Sequence, residues 1–210
     1  MSRRRVLLIT PGEVNLDDIL KSYDTISIEV KPLSEVPSVV EDTYGLAQVV
    51  SNILGVLKSI SKLYDAIVIS CFEDLGLDLP KKVGVPVISL SDVSLISGSL
   101  HGRRFSILAP NHYIASLIYR RILEKGLAPS LASIRVVRSA SSDVFPFLLA
   151  EARKAIEEDC AEAIVLGYPA WRKFSEVLSK KISVPIIEPL SKALSLIEVI
   201  LRKKEVEDAH

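Results

Sequence analysis

The sequence predicts an α/β protein of two pseudo-symmetric parallel-sheet halves, each a flavodoxin-like unit, with the functional site in the cleft between them. Three observations carry this expectation. Short Val/Ile/Leu-rich runs alternate with longer helical patterns along the 210 residues, the pattern of βαβ units. Several runs are continuously apolar rather than alternating, as strands are when helices cover both sheet faces. The chain also repeats itself.

Three blocks carry the repeat. Arg5-Val-Leu-Leu-Ile-Thr-Pro11 lies over Arg104-Phe-Ser-Ile-Leu-Ala-Pro110 at an offset of 99. Asp65-Ala-Ile-Val-Ile-Ser-Cys71 lies over Glu162-Ala-Ile-Val-Leu-Gly-Tyr168 at an offset of 97. The segment Leu79 to Ile88 lies over Leu178 to Ile187, again at 99. Three blocks in one order at nearly one offset indicate a duplicated unit. The expected first half is 1–92 and the second 93–188, with a C-terminal helix over 189–205 packing back on the first.

Strands are expected over 5–10, 26–31, 66–71 and 87–90, and again over 104–109, 134–138, 163–168 and 186–187. Between them, 43–63 carries Leu46, Val49, Val50, Ile53, Leu54, Leu57 and Ile60 on one helical stripe. Asn111 is suited to cap a helix over 113–123, and Gly126 to stop it. Asp143 is placed to cap a helix over 144–158.

Composition narrows the function. With 26 basic and 26 acidic residues, no charge footprint for nucleic acid is present. Arg3-Arg4-Arg5 reads as a solvated start to the first strand. The run Val6–Ile9 is too short for a signal-peptide core. No segment approaches the roughly 20 apolar residues that span a bilayer. A soluble, cytoplasmic protein with no membrane partner is expected. Cys71 and Cys160, with His101, His112 and His210, make no metal-ligand spacing.

In open parallel sheets, ligands gather outside the carboxyl ends of the strands. Those ends are Thr10-Pro11 and Cys71 in one half, Ala109-Pro110 and Tyr168 in the other. Halves related by a pseudo-twofold axis bring Cys71 and Tyr168 face to face. A turn into a helix after Cys71 would aim backbone N–H groups at the thiol and favour thiolate. The residues alone leave Cys71 open to a second reading, a small buried hydrophobe. Cys160, at a helix end, reads as structural.

Cys71-Phe-Glu-Asp-Leu-Gly-Leu-Asp78 resembles the first cysteine motif of the aspartate/glutamate/hydantoin racemase superfamily, in its hydantoin-racemase branch. The likeness runs through Pro37-Ser38 with Glu41, Val85-Pro-Val-Ile88, Arg104-Phe-Ser-Ile107, Ser133-Ile-Arg135 and the block from Glu158 to Gly167. The resemblance implies two cysteines flanking the α-carbon of a small amino-acid-like substrate. One thiolate removes the α-proton and the opposing thiol returns one, without metal or pyridoxal cofactor. Inversion needs an acid and a base on opposite faces, and a thiol of pKa about 8.5 serves either role. The resemblance assigns catalysis to Cys71 and the facing Tyr168. It assigns substrate contacts to Thr10, Pro11, Phe72, Asp74, Ser91, Asp92 and Gly167, no cofactor, and a homo-oligomer.

The sequence also departs from the family pattern. Gly167-Tyr168-Pro169-Ala170 stands where the family reads Gly-Cys-Ala-Gly. Thr10-Pro11-Gly12-Glu13 replaces Asn-Pro-Asn with its following hydroxyl residue. Ser91-Asp92 stands where a small residue and often Glu occur. Tyrosine, at a reference pKa of about 10, is a poorer base than cysteine but still a proton donor, and Pro169 removes a backbone donor. The expected function is racemase-like proton transfer α to a carboxylate or carbonyl, at an altered one-thiol site. A catalytically impaired scaffold that binds a small carboxylate is the alternative, as is a one-thiol decarboxylase or isomerase. In each case the partner is a small carboxylate or hydantoin-like molecule.

Overall fold

Eight apolar runs become strands in a computed structural model that describes residues 3–13, 16–37, 39–72, 83–139 and 142–208. The strands are β1 (Arg4–Thr10), β2 (Ile26–Pro32), β3 (Ala66–Ile69) and β4 (Val87–Ser89), then β5 (Phe105–Ala109), β6 (Leu131–Val136), β7 (Ala163–Leu166) and β8 (Ile186–Ile187). The helices are α1 (Asp17–Leu20), α2 (Thr43–Ile60), α3 (Leu90–His101), α4 (His112–Glu124), α5 (Phe145–Glu157), α6 (Ser175–Ser179) and α7 (Pro189–Asp208). A 3-10 segment, Pro169–Phe174, leads from β7 to α6.

The strands form two four-stranded sheets ordered β2-β1-β3-β4 and β6-β5-β7-β8. Every pairing is parallel. In each sheet the order reverses beside the first strand of the half, which opens a crevice at the strands' carboxyl ends. The two α/β sheets of like order are the duplicated units that the repeat predicts.

Duplication extends to single hydrogen bonds. Asp65 N donates to Arg5 O and Glu162 N to Arg104 O, both at 2.8 Å. Ser70 N donates to Ile9 O and Gly167 N to Leu108 O, also both at 2.8 Å. Ile67 N to Pro86 O is matched by Ile164 N to Pro185 O, both at 2.9 Å. The offsets of 97 and 99 seen in the sequence are therefore the offsets of the backbone ladder.

Local chemistry sets the helix ends. Asn111 Oδ1 accepts from Ile114 N at 2.8 Å and starts α4. Gly126 ends it at φ 68°, with Gly126 N donating to Leu123 O and Leu127 N to Ile122 O, the paired bonds of a left-handed helix stop. Asp143 Oδ1 accepts from Phe145 N at 3.1 Å at the start of α5. The strand expected over 134–138 begins instead at Leu131 and ends at Val136.

One apolar cluster runs through both halves. It joins Leu7, Ile9, Ile67 and Ile69 of the first sheet to Ile107 and Val165 of the second, through Leu90 and Leu95 of α3. Leu194 and Ile197 of α7 belong to it as well. A smaller cluster, with Leu108, Leu148, Leu166 and Trp171, covers the other face of the second sheet, as alternation along β5 and β7 requires. Helix α3 packs against strands of both sheets and against α7, which itself packs on β3 and β4. Residue 92 falls in the first turn of α3, so the two halves share this helix. Among the described residues, no helix is long and apolar enough to cross a membrane.

Candidate active site

Strand ends build the cleft. After β1 the chain turns through Pro11, Gly12 and Glu13, and after β2 it passes Leu33 and Val36. From the other half, β7 ends in Gly167 and continues through Tyr168, Pro169, Ala170, Arg172 and Lys173. These two sets, Gly167 excepted, line a cavity of about 660 Å³, a size that suits a small organic ligand.

Hydrogen bonds fix its walls. Thr10 is buried, and its hydroxyl donates to Gly12 O at 2.8 Å, setting the turn that presents Glu13. Gly167 has no room for a side chain, because a Cβ there would meet Leu108 O at 2.5 Å. Tyr168 is extended at φ −143° and precedes the 3-10 turn opened by Pro169. Its ring meets Trp171 edge to face, with centroids 5.5 Å apart. Tyr168 thus has a fixed place on the cavity wall.

Cys71 follows Ser70, whose N–H bond is the counterpart of that made by Gly167. Cys71 and Tyr168 therefore occupy equivalent positions in the two halves. Their surroundings differ. Cys71 is 1% exposed and Phe72 is buried beside it in sequence. Among the described residues that line the cavity, Tyr168 and Pro11 are present and Cys71 is not.

The remaining sequence-derived positions fall elsewhere. Ser91 is buried, with its hydroxyl 2.7 Å from that of Ser89, the residue that caps α3. Asp92 points at α4, where Arg121 Nε and Nη2 donate to its two oxygens at 2.8 and 3.0 Å and Lys125 Nζ lies at 2.8 Å. Asp74 lies outside the described residues, as does the turn after Phe72 expected to support the thiol.

The sequence reading did not single out the cations of the cavity. Arg172 reaches across the cleft to Asp18 of α1, with Nη1 to Oδ2 at 3.0 Å and Nη2 to Oδ1 at 2.6 Å. That bidentate bond holds the Asp18 carboxyl below its ordinary range and raises the Arg172 guanidinium. Lys173 lies over the Phe174 ring, 5.0 Å from its centroid. Their signal was position, immediately beyond a strand end. Among the described residues, no group of three or more His, Cys, Asp or Glu could hold a metal ion.

The family profile of Asp/Glu/Hydantoin racemase matches residues 15–197. The chain belongs to this family. A hydantoin racemase of Paenarthrobacter aurescens is 28% identical over 187 residues, which is 84% of this chain and 79% of that protein. A hydantoin racemase of Pseudomonas sp. (strain NS671) is 28% identical over 162 residues, 71% of this chain and 65% of that relative's length. Among solved structures, an allantoin racemase from Klebsiella pneumoniae superposes with a TM-score of 0.83 at 19% identity, covering 96% of this chain and 89% of that one. The two-sheet architecture is thus that of the racemase family.

Proposed function

We propose that this chain is a cofactor-independent racemase-like enzyme, acting by proton transfer at the carbon α to a carboxylate or carbonyl. The observation that carries this reading is the equivalence of Cys71 and Tyr168 at the carboxyl ends of β3 and β7 in the two halves, with Tyr168 on the cavity wall. In the proposed step the Cys71 thiolate takes the α-proton and becomes a thiol. The electron pair moves into the adjacent carbonyl, giving an enolate. The Tyr168 hydroxyl then protonates the opposite face and is left as phenolate, and exchange with water resets both groups. Reacting atoms need to approach within roughly 3–3.5 Å on each side, so Cys71 has to be uncovered when substrate binds.

The burial of Cys71 favours a second reading, a racemase scaffold that binds a small carboxylate with little or no turnover. The two readings divide on solvent deuterium. Hydantoins, aspartate, glutamate and arylmalonates are incubated in D₂O with the protein and with Cys71→Ser. Cys71-dependent incorporation is the expected result. Equal background in both proteins removes the enzyme, and a ligand-induced rise in Tm without turnover then identifies the binder. The homo-oligomer implied by the resemblance is part of the same proposal. A mass of 23.1 kDa by light scattering would remove it.

A further inference from the structure

The walls of the cavity carry opposite charges. The first half contributes Glu13, presented by the turn that Thr10 fixes through Gly12. The second contributes Arg172 and Lys173. Arg172 is already engaged by both oxygens of Asp18. Lys173 has no carboxylate partner among the described residues, and Glu13 no basic one. Lys173 is held over Phe174, whose ring packs against Phe145 at 5.6 Å. Between the charged walls lie Pro11, Leu33, Val36, Pro169 and Ala170.

A ligand that satisfies this lining carries a carboxylate at one end and N–H donors at the other, joined by a short apolar body. The ligand carboxylate then meets the Lys173 ammonium and its N–H groups meet the Glu13 carboxylate, both at exposed side chains, while the reversed orientation sets carboxylate against carboxylate and N–H donors against the ammonium. We infer that Lys173 and Glu13 select an open-chain carboxylate bearing an amino or ureido group over a neutral cyclic amide, with Lys173 holding the carboxylate and Glu13 accepting from the N–H groups. Only the chemistry after binding rests on the racemase-like reading; the binding itself does not.

Titration calorimetry on the full chain tests it, with N-carbamoylalanine, alanine and 5-methylhydantoin as probes. The first two separate a ureido from an ammonium donor, and the third carries N–H groups without a carboxylate. The expected result is that N-carbamoylalanine or alanine binds at least tenfold more tightly than 5-methylhydantoin. Lys173→Glu is expected to abolish that preference, and Glu13→Lys with Lys173→Glu to recover part of it. The inference is overturned by absence of binding, by equal or tighter binding of 5-methylhydantoin, or by a preference that survives Lys173→Glu. Cys71→Ser keeps the two claims apart. Selective binding in this variant, with no deuterium incorporation in the native protein, leaves the selectivity standing and removes the enzyme. Cys71-dependent incorporation without charge preference does the reverse.

Discussion

Tyr168 stands at the position to which the sequence resemblance assigns a second cysteine, and its ring fills part of the cavity wall. Tyr168→Phe keeps the ring and its edge-on contact with Trp171, a contact worth about 0.5–1.5 kcal/mol, but removes the proton. Deuterium incorporation should fall at least tenfold while the near-UV dichroism of the folded protein is retained. An unchanged exchange rate would show that water, not the phenol, supplies the second proton. Two glycines beside the site make a complementary test of packing. Gly167→Ala forces a Cβ against the Leu108 carbonyl, and overpacking of this kind costs about 1–3 kcal/mol. Gly12→Ala meets nothing within 4 Å, so the same denaturant curve should leave it near native stability.

Helix α4 is tied down at its start by a single side chain. Asn111 caps it through Ile114 N, and its amide donates to Val40 O at 2.9 Å, across to the other half. Asn111→Ala loses both bonds, and a lost cap costs about 0.5–2 kcal/mol. Tm should fall by several degrees, at about 2–4 °C per kcal/mol for a chain of this size. A melt within one degree of native would show that the helix start is held by packing alone. Caps like this one were legible in the sequence because they are local, and so were the strands, whose apolar runs are continuous. Helix α3 was not. Its sequence, Leu-Ser-Asp-Val-Ser-Leu-Ile-Ser-Gly-Ser-Leu-His, has no single apolar stripe, because it packs against both sheets and needs small residues on several sides. Ser94 is fully buried and satisfies its hydroxyl on Leu90 O, while a Cβ at Gly98 would meet Phe105 at 2.9 Å. The repeat pointed to the carboxyl ends of the strands, and the cavity lies there, between the ends of β1 and β2 and the end of β7. The burial of Cys71 was one of two readings the residues left open, and the cross-cleft pair of Arg172 with Asp18 was not legible, because both depend on how the two halves close.

Closure of the halves has an electrostatic and an apolar component. The Asp18 carboxyl is held below its ordinary 3.8 by the Arg172 bond. A depressed folded-state pKa means the pair contributes in full above the unfolded value and is lost as pH falls through the folded one. Asp18→Asn should therefore lower Tm at neutral pH, and the difference should close as pH drops well below 3.8. With the Asp18 side chain 69% exposed, solvent screening keeps the effect small. The apolar component is larger. Helix α7 buries Leu190, Leu194, Ile197 and Leu201 in the cluster that runs through both sheets. At about 1.5–3 kcal/mol for each buried side chain, these four supply about 6–12 kcal/mol, comparable with the whole stability of an ordinary domain, about 5–15 kcal/mol. Tyr23 of the first half also donates to Ser191 O of this helix at 3.0 Å. Deleting 189–210 should therefore unfold the chain as a whole rather than release a folded second half, and the intact protein should melt in one calorimetric transition whose van't Hoff and calorimetric enthalpies agree. Two resolved transitions, or a soluble truncated chain with native near-UV dichroism, would show that the halves are independent folding units and that the shared helix α3 does not couple them.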